Sequence, residues 1–396
     1  MVKVEVKNLY KIYGQSPQKV FPLLEQGETK EEILKKTGNN IGVNNASFQV
    51  DEGEIFVVMG LSGSGKSTLI RCLNRLIEPT RGEIWVDGEN IIDYNKEQLL
   101  QARRNKFAMV FQNFALLPHR TIESNAAYGL ELQNIDEATR LQKAHQVLEL
   151  VGLKGYEKSY PSELSGGMQQ RVGLARALAT DPEVLLMDEA FSALDPLIRK
   201  DMQNELLKLH SKMGKTIIFI THDLDEALKL GDKIAIMKDG VIVQIGTAEE
   251  ILTHPANDYV KAFIQDVNRA KIVSAATIMK DPEAIVSPKD GVKVAVHKMR
   301  QYGISSIFVT GPNRTLRGIV TIDDATELLK QGNHSLDSII KTDIETTSPD
   351  AHISELLPTA ITTKYPIVVV DEQNRILGII VRVSVLAGIH GEEVSE

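Results

Sequence analysis

Several features are scarce in this chain of 396 residues, and their scarcity narrows its class. A single cysteine, Cys72, excludes an internal disulfide and fits a reducing compartment. No run of about 18 apolar residues occurs, so no segment has the length of a membrane-spanning helix. Basic residues are fewer than acidic ones, with 45 Lys and Arg against 53 Asp and Glu, and the resulting net charge of −8 argues against a protein that wraps nucleic acid. The N-terminal segment 1–7 alternates like a strand and lacks the apolar core of a secretory signal.

The length predicts two or three domains. Up to about residue 270, apolar runs alternate with helical segments, which predicts an α/β domain with a mainly parallel sheet. Candidate buried strands are Ile55–Met59, Val184–Met187, Ile217–Ile220 and Ile234–Met237. Asp87-Gly88 and Asp239-Gly240 are turn signals typical of hairpins. The segment Gln15–Asn40 has the character of an insertion, with a short helix that ends at Gly38.

Beyond residue 275 the sequence repeats itself. Ile307–Thr310 recurs as Ile367–Val370, and Leu316–Val320 recurs as Ile376–Ile380. Two separate blocks share an offset of 60 residues, which indicates an internal duplication. We therefore expect two copies of one small unit in the C-terminal third.

A glycine-rich loop follows the first buried strand, and a helical segment follows the loop. Every fixed position of a phosphate-binding loop is filled between Gly60 and Ser67. Backbone N–H groups and the helix dipole would hold phosphate there. Lys66 would reach the terminal phosphates, and the Ser67 hydroxyl would hold Mg²⁺. The alternative is a glycine-rich turn without a ligand, which the flanking strand and helix disfavour.

Three further stretches carry candidate chemistry. Asp188 and Glu189 end an apolar strand, where their side chains would face the ligand crevice of an open sheet. Because neighbouring side chains point apart, we assign Asp188 to Mg²⁺ and Glu189 to polarising the attacking water. His222 follows another strand and could stabilise charge on the γ-phosphate. The glycine pair of Leu164–Arg171 could offer N–H groups to an anion, or could be an ordinary helix start.

Together these residues resemble the ATP-binding subunits of ABC transporters over about residues 1–270. The expected fold is therefore α/β, an ABC-type P-loop domain followed by a smaller α+β unit. The resemblance makes ATP and Mg²⁺ the cofactors and adds Gln112 of the glutamine loop, the signature loop around Ser165 and an aromatic residue stacked on adenine. Tyr13 is the first candidate for that ring, and Phe21 is a weaker one. The nucleotide-binding residues so predicted are Tyr13, Gly60, Ser62, Gly63, Ser64, Gly65, Lys66, Ser67, Thr68, Gln112, Ser165, Gly166 and Gly167.

In that family two such domains pair, so Ser165 and Gly167 would serve the partner copy's nucleotide. The resemblance also implies a transmembrane permease, a substrate-binding protein that acts through it, and a peripheral location on the cytoplasmic face of the membrane. Ser67, Gln112 and Asp188 become the metal ligands, and Glu189, His222 and Lys66 the catalytic residues. The sequences of several motifs are similar to those of the glycine betaine/proline betaine importers. An importer for another small, amino acid-like solute and a soluble ABC ATPase are the alternatives.

The duplicated units resemble a tandem pair of CBS domains, which commonly bind adenine nucleotides. Thr321 and Asp324 match the positions that hold phosphate and ribose, whereas the second copy has Val381 and Ser384 there. An adenine nucleotide or cyclic dinucleotide is the expected regulator, and a purely structural dimerisation module is the alternative. The predicted boundaries are 1–272 for the ATPase domain, with an insertion at about 15–40, then 276–335 and 336–391.

One hypothesis concerns ionic strength. Lys30, Lys35 and Lys36 of the insertion could meet anionic lipid, and such attractions weaken as salt rises. Because Glu28, Glu31 and Glu32 balance these charges, a solvated helix is the favoured interpretation.

Overall fold

The structure is a computed structural model that describes residues 1–265 and 267–390. Contacts divide the described residues into two compact units, one formed by 1–251 and 255–264 and the other by 252–254 and 265 onwards. Within those residues, every helix is too short or too polar to cross a membrane. The predicted end of the second repeat, residue 391, lies outside the described residues.

The first unit is built from two sheets and the helices around them. Its strands are β1 (Val2–Tyr13), β2 (Asn40–Asp51), β3 (Ile55–Met59), β4 (Arg81–Val86), β5 (Glu89–Asn90), β6 (Phe107–Phe111), β7 (Val184–Asp188), β8 (Thr216–Thr221), β9 (Lys233–Lys238) and β10 (Val241–Gly246). The helices of this part of the chain are α1 (Phe21–Glu25), α2 (Lys30–Thr37), α3 (Lys66–Leu73), α4 (Lys96–Asn105), α5 (Ile122–Ala126), α6 (Tyr128–Leu132), α7 (Glu137–Leu150), α8 (Gly166–Ala179), α9 (Pro196–Met213), α10 (Leu224–Leu230), α11 (Ala248–Thr253) and α12 (Asp258–Phe263).

The larger sheet has the order β10-β9-β3-β8-β7-β6, with only β10 antiparallel to its neighbour. The four predicted buried strands are β3, β7, β8 and β9, and every residue of β3, β7 and β8 is buried. Both hairpins are also present, since β4 pairs with β5 and β9 with β10. The carboxyl ends of β3, β8 and β7 therefore lie side by side at one edge.

The smaller sheet, β2-β1-β4-β5, is antiparallel and shares a core with the larger one. Phe48 of β2 stacks on Phe56 of β3, with ring centroids 4.9 Å apart. Helix α3 contributes Leu69, Ile70 and Cys72 to the same core. Burial raises the pKa of the Cys72 thiol to about 12, so this residue packs as a small apolar side chain.

The segment predicted as an insertion folds into α1 and α2 against β1 and β2. Ile33 of α2 is fully buried with Val20, Ile12 and Ile41. The helix ends at Gly38, whose φ of 71° provides the left-handed cap expected from the sequence. The insertion is therefore anchored beside β1 and β2 by its own small apolar cluster.

The second unit contains two small three-stranded sheets, β11-β12-β13 and β14-β15-β16. Its strands are β11 (Ile285–Val286), β12 (Ser306–Thr310), β13 (Leu316–Thr321), β14 (Thr346–Thr347), β15 (Ile367–Val370) and β16 (Ile376–Ile380). Its helices are α13 (Ala275–Ile278), α14 (Gly291–Gln301), α15 (Ile322–Lys330), α16 (Ile353–Thr362) and α17 (Arg382–His390).

The two sheets repeat one topology, in which a parallel pair is followed by an antiparallel pair. Val309 pairs with Gly318 in the first copy, and Val369 pairs with Gly378 in the second. Both partners are shifted by the same 60 residues, so the strand register repeats together with the sequence.

Each copy is completed by a segment that lies outside its predicted boundaries. Val273 and Ala275 precede the first copy but are buried with Ile353 and Val369 of the second. Conversely, the Lys341 N–H donates to Ile319 O at 2.9 Å, so a segment after the first copy returns to β13. The two copies therefore exchange their flanking segments.

Candidate nucleotide-binding site

The glycine loop connects the end of β3 to the beginning of α3, as the sequence predicts. Gly65 has a φ of 105°, and a Cβ there would lie 2.0 Å from Gly42 O of β2. Only glycine fits this close approach of two backbones. The loop thus reaches α3 with the first N–H groups of the helix free for an anion.

Lys66 is buried beneath the loop that it belongs to. Its Nζ donates to Gly60 O at 2.8 Å and to Leu61 O at 3.2 Å, and lies 3.7 Å from Glu189 Oε1. Burial lowers the pKa of Lys66, and the nearby Glu189 carboxylate opposes that shift. The ammonium group therefore braces the loop and faces the carboxylate predicted to act on water.

Ser67 and Asp188 meet at the start of α3. The Ser67 hydroxyl donates to Asp188 Oδ1 at 2.9 Å, and Arg71 donates to Asp188 Oδ2 at 3.0 Å. Asp188 is only 4% exposed, so these two partners offset the cost of burying its charge. Arg71 was not among the predicted site residues, although its position one helical turn after Ser67 places both side chains on the same face of α3.

Glu189 is the point where the predicted catalytic residues converge. Its Oε2 accepts from Gln112 Nε2 at 3.5 Å and lies 3.2 Å from His222 Nδ1. The backbone of Glu189 has a φ of 47°, an uncommon left-handed conformation for a non-glycine residue. Its N–H is held by Ile220 O of β8 at 3.1 Å, so the neighbouring strand fixes this strained residue.

Lys66, Ser67, Gln112 and Glu189 line one cavity of about 480 Å³, whereas Asp188 and His222 are not in its lining. Its lining comprises Tyr13, Lys30, Asn40, Ile41, Gly42, Ser62, Gly63, Gly65, Lys66, Ser67, Thr68, Gln112 and Glu189. Lys30, Asn40 and Gly42 were not among the predicted site residues, because they come from the insertion and from β2. The placement of the insertion and of β2 against the loop reveals them.

The two aromatic candidates for adenine stacking have different surroundings. Tyr13 lines the cavity, and its hydroxyl lies 3.2 Å from Thr68 Oγ1. Phe21 instead packs edge-on against Tyr10, with ring centroids 5.3 Å apart, and lies beneath the Arg81 guanidinium. The geometry therefore favours Tyr13 over Phe21.

The signature loop forms the beginning of α8. Ser165 is the N-cap residue, and its Oγ accepts from the Met168 N–H at 3.4 Å. A Cβ at Gly167 would lie 2.6 Å from Ile198 Cγ2, so the loop packs closely on α9. Ser165, Gly166 and Gly167 do not line the cavity around Lys66. The N-terminus of α8 therefore lies outside the lining of that cavity.

The residues present fit ATP and Mg²⁺. Ser64 Oγ is buried without a hydrogen-bond partner, which is costly unless a ligand supplies one. The Ser67 hydroxyl, the Gln112 amide and the Asp188 carboxylate offer the oxygen ligands that Mg²⁺ prefers. Among the described residues, no three His, Cys, Asp or Glu side chains gather into a metal site.

Thr321 and Asp324 lie together at the start of α15. Thr321 Oγ1 donates to Asp324 Oδ2 at 2.6 Å and accepts from the Asp324 N–H at 3.3 Å, forming a helix cap. Lys341 lies 2.6 Å from Asp324 Oδ2 and, with Thr321, lowers the pKa of that carboxyl group. Both predicted regulatory residues are thus engaged by their own neighbours.

A cavity of about 520 Å³ lies in the second copy, between α16, β15 and the start of α17. Its polar lining comes from Thr362, Thr363, Lys364, Tyr365 and Arg382. Arg382 is already bonded to the carbonyl oxygens of Ala360, Ile361 and Thr363 at the end of α16. Neither Thr321 nor Asp324 lines this cavity.

Comparison with protein families and known proteins agrees with this arrangement. The ABC transporter family matches residues 43–192, and the CBS domain family matches residues 275–331 and 336–391. Among solved structures, a dimeric post-hydrolysis state of the ATP-binding cassette MJ0796, bound to ADP and Pi, is 31% identical with a TM-score of 0.53. That match covers 62% of this chain and 98% of the other.

Curated relatives match over nearly the whole chain. The glycine betaine/carnitine transport ATP-binding protein GbuA of Listeria monocytogenes is 56% identical to this chain. The alignment includes 100% of this chain and 99% of the relative. The glycine betaine transport ATP-binding protein OpuAA of Bacillus subtilis is 54% identical, with 98% of this chain and 93% of the relative aligned. For the glycine betaine/proline betaine protein ProV of Escherichia coli the identity is 48%, with 100% and 99% aligned.

Full-length similarity, the phosphate loop with its converging carboxylates and the C-terminal CBS pair place this chain among the ATP-binding subunits of ABC transporters, in the group that includes the glycine betaine/proline betaine transport proteins.

Proposed function

We propose that this chain hydrolyses ATP, with Mg²⁺, to power the import of glycine betaine or a related quaternary amine. The observation that carries the proposal is the convergence of Lys66, Gln112 and His222 on Glu189 at the end of β7. Relatives of about half-identical sequence are glycine betaine transport ATP-binding proteins, which supports the choice of solute.

In the proposed reaction, water attacks the γ-phosphate of ATP and ADP leaves. Glu189 accepts a hydrogen bond from that water and orients it. General-base assistance of this kind raises the rate about 10²–10⁴-fold. His222 donates to the γ-phosphate oxygens, and Lys66 neutralises the charge that develops on them. The strained backbone of Glu189 directs its carboxylate into the cavity before ATP arrives.

Ser67, Gln112 and Asp188 would hold Mg²⁺ beside the phosphates. When bound, Mg²⁺ neutralises charge on the phosphate oxygens as the γ-phosphoryl group is transferred. The hydrogen bond between Ser67 and Asp188 already brings two of these oxygen ligands together. Arg71 pairs with Asp188 and fixes the orientation of its carboxylate.

The phosphate loop is expected to form half of the complete site. Ser165, Gly166 and Gly167 would bind the ATP held by a second copy of this chain. The N-terminus of α8 would then stabilise the negative charge of the phosphates of that ATP. The dimeric ATP-binding cassette to which this chain is similar supports the pairing. The working assembly would contain two copies, a transmembrane permease and a substrate-binding protein or domain, with this chain peripheral on the cytoplasmic face of the membrane.

The CBS pair is proposed to regulate hydrolysis by binding an adenine nucleotide or cyclic dinucleotide. Thr321 and Asp324 would accept the ligand in the first copy after Lys341 releases Asp324. The domain boundaries also remain predictions: 1–272 for the ATPase domain, then 276–335 and 336–391 for the two CBS domains.

The purified complex of this chain with its permease and binding protein tests the proposal. Its ATPase activity should rise with glycine betaine, proline betaine or carnitine, and should be absent from a Lys66→Ala complex. Stimulation by an amino acid and not by any betaine would assign the alternative solute class. Hydrolysis by the isolated chain that no solute stimulates in the complex would favour a soluble ATPase.

A further inference from the structure

Lys30, the first residue of α2, lies at the mouth of the nucleotide cavity. Its Nζ donates to Gly63 O of the phosphate loop at 3.4 Å, across 33 positions of sequence. The side chain is half-buried, and it lines the cavity together with Tyr13 and Lys66. A residue of the insertion is thus part of the nucleotide site.

The insertion holds this lysine in a defined position. Thr29 and Glu32 form a capping box, in which Thr29 Oγ1 accepts from the Glu32 N–H at 3.3 Å and Glu32 Oε2 accepts from the Thr29 N–H at 2.8 Å. One turn into the helix, Ile33 is fully buried against β1 and β2. The start of α2 is therefore fixed at both ends of its first turn, with Lys30 between them.

Lys30 is one of two cationic side chains that line the cavity. Among the described lining residues only Lys30, Lys66 and Glu189 carry charge. Lys66 is buried and bonded to two carbonyl oxygens of its own loop, and Glu189 faces it. Lys30, in contrast, makes one long hydrogen bond, of 3.4 Å, to a carbonyl oxygen of the loop. Its ammonium group can therefore move to an arriving anion.

We propose that Lys30 binds the phosphate chain of the nucleotide, exchanging its contact with Gly63 O for a charge-assisted hydrogen bond to a phosphate oxygen. This inference rests on the proposed ATP function of the same cavity. The phosphate chain is the partner because Lys30 Nζ contacts the phosphate loop at Gly63 O, and because ribose and adenine carry no negative charge. The insertion thereby contributes directly to nucleotide affinity.

The other lysines of the helix serve as internal controls. Lys35 is exposed in the last turn of α2, and Lys36 forms an ion pair with Glu28. Lys35 does not line the cavity. The substitution Lys35→Gln thus makes the same charge change on the same helix at a distance from the site.

Equilibrium binding to the full chain in lipid-free buffer with Mg²⁺ tests the inference, using a non-hydrolysable ATP analogue, ADP and adenosine as probes. Lys30→Gln should weaken binding of the analogue and of ADP about three- to tenfold, while leaving adenosine binding unchanged. Lys30→Arg should retain most of the affinity, and Lys35→Gln should bind all three probes as the wild type does.

Two results would overturn the inference alone. Unchanged affinities in Lys30→Gln would show that the lysine does not contact the nucleotide, and an equal loss for adenosine would show a general distortion of the cavity. A wild-type chain that binds none of the probes would instead remove the proposed ATP function, and this inference with it.

Discussion

The Ser67 hydroxyl donates to Asp188 Oδ1 at 2.9 Å, although 121 positions separate the two residues in sequence. The sheet order explains the contact, because β8 lies between β3 and β7 and all three strands run in the same direction. Helix α3 leaves the end of β3 and crosses to the end of β7. A residue of the phosphate loop and a residue of the acidic strand thereby become neighbours, as the proposed magnesium site requires.

Replacing Glu189 by glutamine should slow ATP hydrolysis while preserving ATP binding. The variant keeps the size of the side chain but loses the carboxylate that polarises water, so kcat should fall about 10²–10⁴-fold. Steady-state hydrolysis and equilibrium binding on the same preparation measure the two effects. The exposed substitution Glu137→Gln on α7 is the matched control. Undiminished hydrolysis in Glu189→Gln would assign the water to another residue.

Two inactive variants should restore activity when they are mixed. Lys66→Ala removes the phosphate-loop cation, and Ser165→Arg places a bulky side chain on the signature loop. If each ATP lies between the phosphate loop of one copy and the signature loop of the other, a mixed pair contains one site with neither defect. ATPase activity of the mixture should exceed that of either variant alone. No recovery in proven mixed complexes would contradict a shared site.

Arg199 should position the loops on either side of Glu189. Its Nη2 donates to Leu194 O at 3.1 Å. Its Nη1 pairs at 3.3 Å with Oδ2 of Asp223, the residue directly after His222. Arg199→Gln should lower kcat more than it raises KM for ATP, because His222 loses its support while the phosphate loop is untouched. Arg199→Lys should recover part of kcat. Equal effects on both parameters, without rescue by lysine, would indicate a general loss of structure.

Glu226 should make stability depend on pH. It is 4% exposed and accepts from Gln203 Nε2 at 3.0 Å, and burial raises its pKa. A raised carboxyl pKa means that the unfolded chain ionises first, so the contribution of Glu226 to stability is complete below its unfolded pKa of about 4.3 and is lost as pH rises through the folded value.

The variant Glu226→Gln keeps a side-chain oxygen that can accept from Gln203, and its amide group does not ionise as pH rises. The difference in unfolding temperature, Glu226→Gln minus wild type, should therefore grow as pH rises from about 4 towards neutrality. Thermal unfolding followed at several pH values measures it. A difference that is constant or that shrinks with rising pH would contradict the sign of the shift.

Local patterns were enough to predict much of this fold. Consecutive residues form the apolar runs of β3, β7, β8 and β9, the hairpin turns and the glycine loop, so a local sequence pattern predicts each of them. The duplication was equally visible, because a shared offset of 60 residues survives in the sequence and returns in the strand register.

Contacts between distant segments could not be predicted in the same way. Nothing local indicates that Lys30 lies beside Gly63, because the contact depends on how Ile33 anchors the insertion. The exchange of flanking segments between the CBS copies is similarly long-range. Thr321 and Asp324 illustrate an ambiguity of another kind, because a threonine followed three residues later by an acidic residue is also the pattern of a helix cap.

Uptake by the reconstituted complex is the most direct test of the account. Proteoliposomes that present this chain to MgATP should accumulate glycine betaine against its gradient, and the same vesicles carrying Glu189→Gln should accumulate none. Accumulation in the Glu189→Gln vesicles, or ATP-driven accumulation of another solute with glycine betaine excluded, would contradict the account.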